Sequence, residues 1–169
     1  MSTNDLLTVL QRAMEFERDG YQFYRMAASQ STFPKPTTMF EHLAEEEKNH
    51  FDALQEKYRA LLDTGTWAPE TAWETAWSPE QTGSIFTEDF VTRIQGQHHE
   101  AAALSIGILL EKQAIAFYTA QAEASDDEPV RAFFHELARW EEGHYRMLLR
   151  EDEGLRDDYW QANRFAPLD

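Results

Sequence analysis

A fixed offset of 94 residues relates the two halves of this chain, and it pairs polar residues set into apolar stripes. Glu17 corresponds to Glu111, Phe23 to Phe117, Tyr24 to Tyr118, Leu43 to Leu137, Glu47 to Glu141 and His50 to His144, with no insertion between them. In each half an isolated glutamate precedes a Glu-x-x-His motif by 30 residues. That interval fits the down-and-back path of one helical hairpin. With a rise of about 1.5 Å per residue, both glutamates then come to lie near the middle of a bundle.

Four segments carry apolar residues at helical rather than alternating spacing: about Asn4 to Ser29, Thr38 to Asp63, Gln97 to Ser125 and Glu128 to Asp152. Phe33-Pro34-Lys35-Pro36 separates the first pair, and Thr38 with Glu41 has the spacing of a capping box opening the second helix. Asp126-Asp127-Glu128-Pro129 separates the last pair, with acids and a proline where a helix start favours them. A longer connection, about 64–96, joins the second and third helices and holds Trp67, Trp73, Trp77, Pro69, Pro79 and Gly83, with Phe86 to Ile94 as a short helix. Its tryptophans are expected to pack on the bundle or on a partner subunit. Two short links flanking one long one predict an all-α four-helix bundle with a crossover between helices 2 and 3.

Each helix sets one glutamate into its apolar face. The stripes read Leu7, Leu10, Met14, Glu17, Tyr21, Tyr24; Phe40, Leu43, Glu47, Phe51, Leu54, Tyr58; Leu104, Ile108, Glu111, Ile115, Tyr118; and Phe134, Leu137, Glu141, Tyr145, Leu148. His50 and His144 stand three residues past Glu47 and Glu141, on the same helix faces. A buried carboxylate without a partner costs several kcal/mol even after relaxation, so it is protonated, ion-paired or bound to metal. Four such residues with two histidines suit two hard or borderline divalent cations, which carboxylates bridge and imidazoles cap. One Glu-x-x-His occurs by accident on exposed helices; two copies with matched partners do not.

Cysteine is absent, which excludes disulfides, thiolate nucleophiles and thiolate metal centres in this sequence. The formal net charge of -16 opposes binding to nucleic acid or to anionic membranes. Met1 to Gln11 lacks the basic start and apolar run of a secretory signal, and no stretch is expected to be apolar enough to cross a bilayer. A cytoplasmic protein is expected.

Glu17-x-x-Gly-x-x-Phe-Tyr24, Glu47-x-x-His50, Glu111-x-x-Ala-x-x-Phe-Tyr118 and Glu141-x-x-His144 resemble the rubrerythrin-like branch of the ferritin-like superfamily over about Asn4 to Asp152. The resemblance implies a ferritin-like bundle over residues 1–153 and two iron ions per chain. It also implies reaction with hydrogen peroxide or dioxygen, and a homodimer. It makes Glu47 and Glu141 the bridging ligands, Glu17 and Glu111 terminal ligands, and gives His50 and His144 one ion each. Tyr24 resembles the family tyrosine that hydrogen-bonds a ligand carboxylate. For Tyr24 and Tyr118 alike, two turns beyond their glutamates, core aromatic packing is the competing reading. The tail, 154–169, is expected to pack on the bundle or a partner subunit.

Two departures limit what carries over. Rubrerythrins place an extra glutamate three residues after the third-helix ligand, where it exchanges with a histidine on oxidation. This chain has Ala114 there, so that exchange is not carried over. Without cysteine there is no rubredoxin module in this sequence, and electrons come from an external donor.

Manganese or a mixed manganese–iron pair suits the same ligands. A peroxidase, a ferroxidase feeding an iron store, and a structural or interaction bundle are the three functions to separate. Of the remaining polar groups, His42 and His135 are expected at the surface and His98 and His99 near a helix end. Trp140 is expected to pack away from the ligand face, and Glu45-Glu46-Glu47 to be a solvated run with one inward member.

Overall fold

Four helices and no strand make up the described residues of the computed structural model, which are 2–31, 34–67 and 99–162. They are α1 (Thr3–Gln30), α2 (Pro34–Thr64), α3 (His99–Glu123) and α4 (Glu128–Ala162). The bundle predicted from the periodicity is the bundle observed. The 64–96 crossover with Trp73, Trp77 and the short helix Phe86 to Ile94 lies almost wholly outside the described residues. His98 and the tail beyond residue 162 do too.

Local chemistry sets most of the helix ends. Ser2 caps α1 in a capping box: its side chain accepts from the Asp5 N–H at 3.2 Å while the Ser2 N–H donates to Asp5 Oδ2 at 3.0 Å. At the far end Ser31 turns extended and its N–H closes on the carbonyls of Ala27 and Ala28. The capping box expected at Thr38 is not the start of α2, which begins four residues earlier at Pro34. Proline at the first helical position loses an N–H that no helical carbonyl would accept, and Pro36 still lies within that first turn. Thr38 instead turns its hydroxyl back onto the Pro34 carbonyl at 2.9 Å. Gly65, with φ of 69°, ends α2 by donating its N–H to the Leu61 carbonyl. Asp127 caps α4, accepting from the Val130 N–H at 3.3 Å, as the acidic run before Pro129 predicts.

α1 packs along α2 and α3 along α4, and the two hairpins meet through α1 and α3. Gln11 near the start of α1 donates to Tyr58 near the end of α2, whereas Ser31 at the end of α1 meets Glu100 at the start of α3. Both α2 and α3 therefore run antiparallel to α1. Trp67, just past α2, packs edge-on against Phe133 of α4, and Lys57, 1% exposed, sits with its ammonium about equally far from both rings.

The observed inward face of α1 is Leu6, Leu10, Ala13, Glu17, Gly20 and Tyr24, with Leu7, Met14 and Tyr21 on its flank. Gly20 on that line lets the Glu47 carboxyl group of α2 come close, and Gly107 of α3 lets Tyr24 do the same. α3 is apolar on its outer side too, with Ile106 46% and Leu109 58% exposed. Contrary to the sequence expectation, its length and composition reach those of a membrane-crossing helix, with a mean hydropathy of 1.3 over its most apolar window. Only 28% of that window is buried, and the same helix carries Glu111 into the bundle.

Leu54 and Leu148 occupy equivalent places in the repeat and are both fully buried. Truncating either to alanine is expected to cost about 2–5 kcal/mol in denaturant unfolding of the metal-free protein. Losses below about 1 kcal/mol at both would contradict this packing.

Candidate metal centre

All six predicted donors converge in the middle of the bundle, each at most 4% exposed. One set comprises Glu17, Glu47, His50 and Glu141; the other Glu47, Glu111, Glu141 and His144. Within each set the nearest donor atoms all lie within 4.8 Å of one another, and Glu47 and Glu141 belong to both. Nδ1 of His50 stands 3.0 Å from Glu141 Oε1 and 3.3 Å from Glu17 Oε2. Nδ1 of His144 stands 3.2 Å from Glu141 Oε2, 3.3 Å from Glu47 Oε1 and 3.8 Å from Glu111 Oε1. The two imidazoles stack at 5.6 Å between α2 and α4.

This donor set fits metal on its own geometry. Glu17 Oε2, both oxygens of Glu141 and Nδ1 of His144 are buried with no hydrogen-bond partner among the described residues. Such atoms are costly to bury unless something else satisfies them. They point inward at shared centres, the oxygens 3.0–3.3 Å from the imidazole nitrogens with which they share protons while no metal is bound. Oxygen and imidazole donors, with two carboxylates common to both sets, are what a pair of hard or borderline divalent cations requires.

Each tyrosine makes both a hydrogen bond and a ring contact. Tyr24 donates to Glu111 Oε1 and Tyr118 donates to Glu17 Oε1, so each reaches across to the other half's isolated glutamate. Each also stacks on a phenylalanine at 6.2 Å, Tyr24 on Phe40 and Tyr118 on Phe134. Burial and the surrounding carboxylates raise both phenols well above their usual range, which keeps them neutral donors. Gly20 supplies a close approach: a Cβ there would stand 3.1 Å from the Glu47 carboxyl group. Ala114 is buried at the corresponding position of the other half and brings no carboxylate.

Sequence reasoning missed three neighbours. Glu46, expected in solvent, turns inward, its side chain 13% exposed, and accepts a hydrogen bond from His144 Nε2 at 2.7 Å. His42, expected at the surface, is half-buried beside it, its Nδ1 3.9 Å from Glu46 Oε1. Trp140, expected to point away, lays its indole against His50 with ring centres 6.1 Å apart. A long or aromatic side chain one position off the core line reaches a neighbouring helix once the seam is narrow, and no local spacing signals it. His135 is exposed and His99 is the first residue of α3, both as expected.

A family model described as Rubrerythrin matches residues 8–152. No curated protein and no solved structure matches the chain. The clustered buried glutamates and histidines together with that match fit a di-iron carboxylate protein.

Without metal, the cluster holds protons. Burial and then the neighbouring carboxylates raise Glu47 and Glu111 well above the usual carboxylate range. Burial opposes charge on Glu141 as well, but His50 and His144 outweigh it and hold that carboxyl well below its usual value. Burial likewise opposes charge on the histidines, yet Glu141 and Glu17 push His50 up to about 10, and Glu141, Glu46 and Glu47 raise His144. Above pH 6.5 the folded metal-free protein therefore keeps protons that its unfolded chain releases. Linkage then requires stability to fall as pH rises. The melting temperature of the metal-free protein is expected to drop between pH 6.5 and about 10. A flat or rising profile across that window contradicts the assignment.

Proposed function

We propose that this chain, which belongs to the rubrerythrin family, is a non-haem di-iron oxidoreductase of oxidative-stress defence that oxidises Fe(II) with hydrogen peroxide or dioxygen. One observation carries the reading: two four-donor sets share Glu47 and Glu141. Glu47 and Glu141 would be donors to both ions. Glu17 and His50 would complete the donors of one ion, Glu111 and His144 those of the other. When bound, the iron pair would supply two electrons to an O–O bond and polarise it.

The chain's own residues prepare that site. Tyr118 occupies Glu17 Oε1, so Glu17 Oε2 is left aimed into the cluster. Tyr24 restrains Glu111 in the same way from the other hairpin. Phe40, Leu43, Leu54, Phe134, Leu137 and Leu148, all nearly or fully buried, surround the donors with apolar surface that keeps bulk water out. His144 Nε2 donates to Glu46, which leaves Nδ1 as the donor facing the cluster. With no cysteine in the sequence, the two electrons return from an external donor rather than from a thiolate centre of this chain.

The same donors accept manganese or a mixed pair. The reading includes a cytoplasmic homodimer that engages neither nucleic acid nor membrane. A ferroxidase feeding an iron store would use the same centre, and native size separates the two: a large shell supports storage, a dimer supports peroxidase chemistry.

Anaerobic loading with two Fe(II) per chain, followed by stopped-flow mixing with peroxide or dioxygen, is expected to give oxidation faster than that of free iron. Rates no faster than free iron would sink the reading. Glu47→Ala and Glu141→Ala are each expected to lose bound metal by elemental analysis and to abolish the fast phase. If both variants keep two ions and full rate, the metal is held elsewhere and the site reading fails.

A further inference from the structure

α3 is apolar on the side that faces away from the donors as well as on the side that carries Glu111. Ala102, Ile106, Leu109, Gln113, Ala116 and Ala120 are all exposed, and they follow one another at intervals of 4, 3, 4, 3 and 4 residues. That alternation is the heptad rhythm of a helix–helix seam, and here it runs along the surface. Ile106 and Leu109, 46% and 58% exposed, supply its bulk, while the three alanines let a second backbone come close. Toward the start of α3 the seam opens into a cavity of about 110 Å³, with Phe23, Met26 and Phe40 among its walls and Ile106 at its edge. A knob from a facing helix has a hole to enter there.

Charge singles out the same face. With 31 acidic residues and a net charge of -16, two copies of this chain repel one another over most approaches. Exposed acids stand on α2 at Glu41, Glu45, Asp52 and Asp63, and on α4 at Glu128 and Glu153. Residues 99–122 of α3 hold only Glu100 and Glu111, both buried, and residues 20–31 of the adjoining α1 hold no acid at all. The one face free of exposed carboxylates among these helices is therefore also the apolar one, and an exposed apolar patch marks a contact surface. We propose that two copies of this chain pair through this seam, α3 against the partner's α3 about a two-fold axis, where one patch meets itself. The proposal gives the homodimer of the reading above its surface and rests on that part of it alone.

Sedimentation of the full-length protein over a dilution series is expected to show a dimer that Ile106→Glu and Leu109→Glu each weaken by at least about tenfold. Leu62→Glu is the control. Leu62 is as exposed, at 59%, but lies off the seam near the end of α2, and its substitution is expected to leave the dimer intact. Because the sequence has no cysteine, a thiol placed on the seam is the sole one in the chain. Leu109→Cys is expected to link two copies through a short bis-maleimide, whereas Lys48→Cys, on the exposed side of α2, is not. Thermal melts, and Co(II) binding equal to that of the unsubstituted protein, establish that each variant keeps its fold and its donors. A native size that both glutamate variants on the seam leave unchanged overturns the seam and leaves the homodimer standing. A monomer at every concentration overturns both, and a monomer that floats with phosphatidylcholine vesicles gives the apolar face to a bilayer instead. Neither result bears on the metal reading, which the Fe(II) stopped-flow measurement decides separately.

Discussion

Four carboxylates and two imidazoles enclosed by leucine and aromatic side chains place a severe electrostatic demand on the bundle. Burying a single carboxylate without compensation costs several kcal/mol, which is comparable to the whole stability of many domains. The fold meets part of that demand with protons, with the two tyrosine hydroxyls and with Glu46. It leaves the remainder as donor atoms turned toward common centres. The apolar shell makes the demand sharper, because the low dielectric that strengthens each contact also raises the cost of every unmatched charge. The helix register, the tyrosine stacks and the glycine at position 20 all serve this one cluster.

The site is also what joins the hairpins. α1 with α2 and α3 with α4 are extensively packed, whereas the hairpins meet chiefly through α1 and α3. Across the other seam, between α2 and α4, polar contacts sit between two apolar clusters: stacked His50 and His144, Glu46 on His144, and His50 on Glu141. The tyrosine bonds to Glu111 and Glu17 tie α1 and α3 reciprocally. A bundle closed by its own ligands couples metal occupancy to the spacing of the hairpins, since anything that satisfies the donors also draws the four helices together. The pseudo-twofold arrangement thus divides one centre between two structural units that neither completes alone.

The pseudo-symmetry is kept at the donors and is broken beside them. The six donors and the two tyrosines are matched pairs, while Gly20 faces Ala114 and Glu46 faces Trp140 across the repeat. A donor position tolerates little change because geometry and charge both constrain it. The residues beside it are free to differ so long as the ring or carboxylate they support stays in place.

How much of this was legible beforehand follows from the range of each interaction. The helices, their approximate spans, the 94-residue repeat and the six donors were determined by the sequence itself. A polar residue interrupting an apolar stripe at 3.6-residue period is a local signal that needs no partner to be read. The start of α2 was less legible, since Pro34 and Thr38 both carry helix-start chemistry within four residues, and only the packed chain chose between them. That Glu47 and Glu141 are the shared pair was implied by the family resemblance and not by spacing, and the tertiary structure alone decided that Tyr24 serves Glu111 rather than the glutamate of its own helix. It also decided that Glu46 and Trp140 turn toward the histidines. Those contacts are between helices. They depend on the rotation and separation of whole elements, which local spacing does not encode and which packing sets only when all four helices are in place.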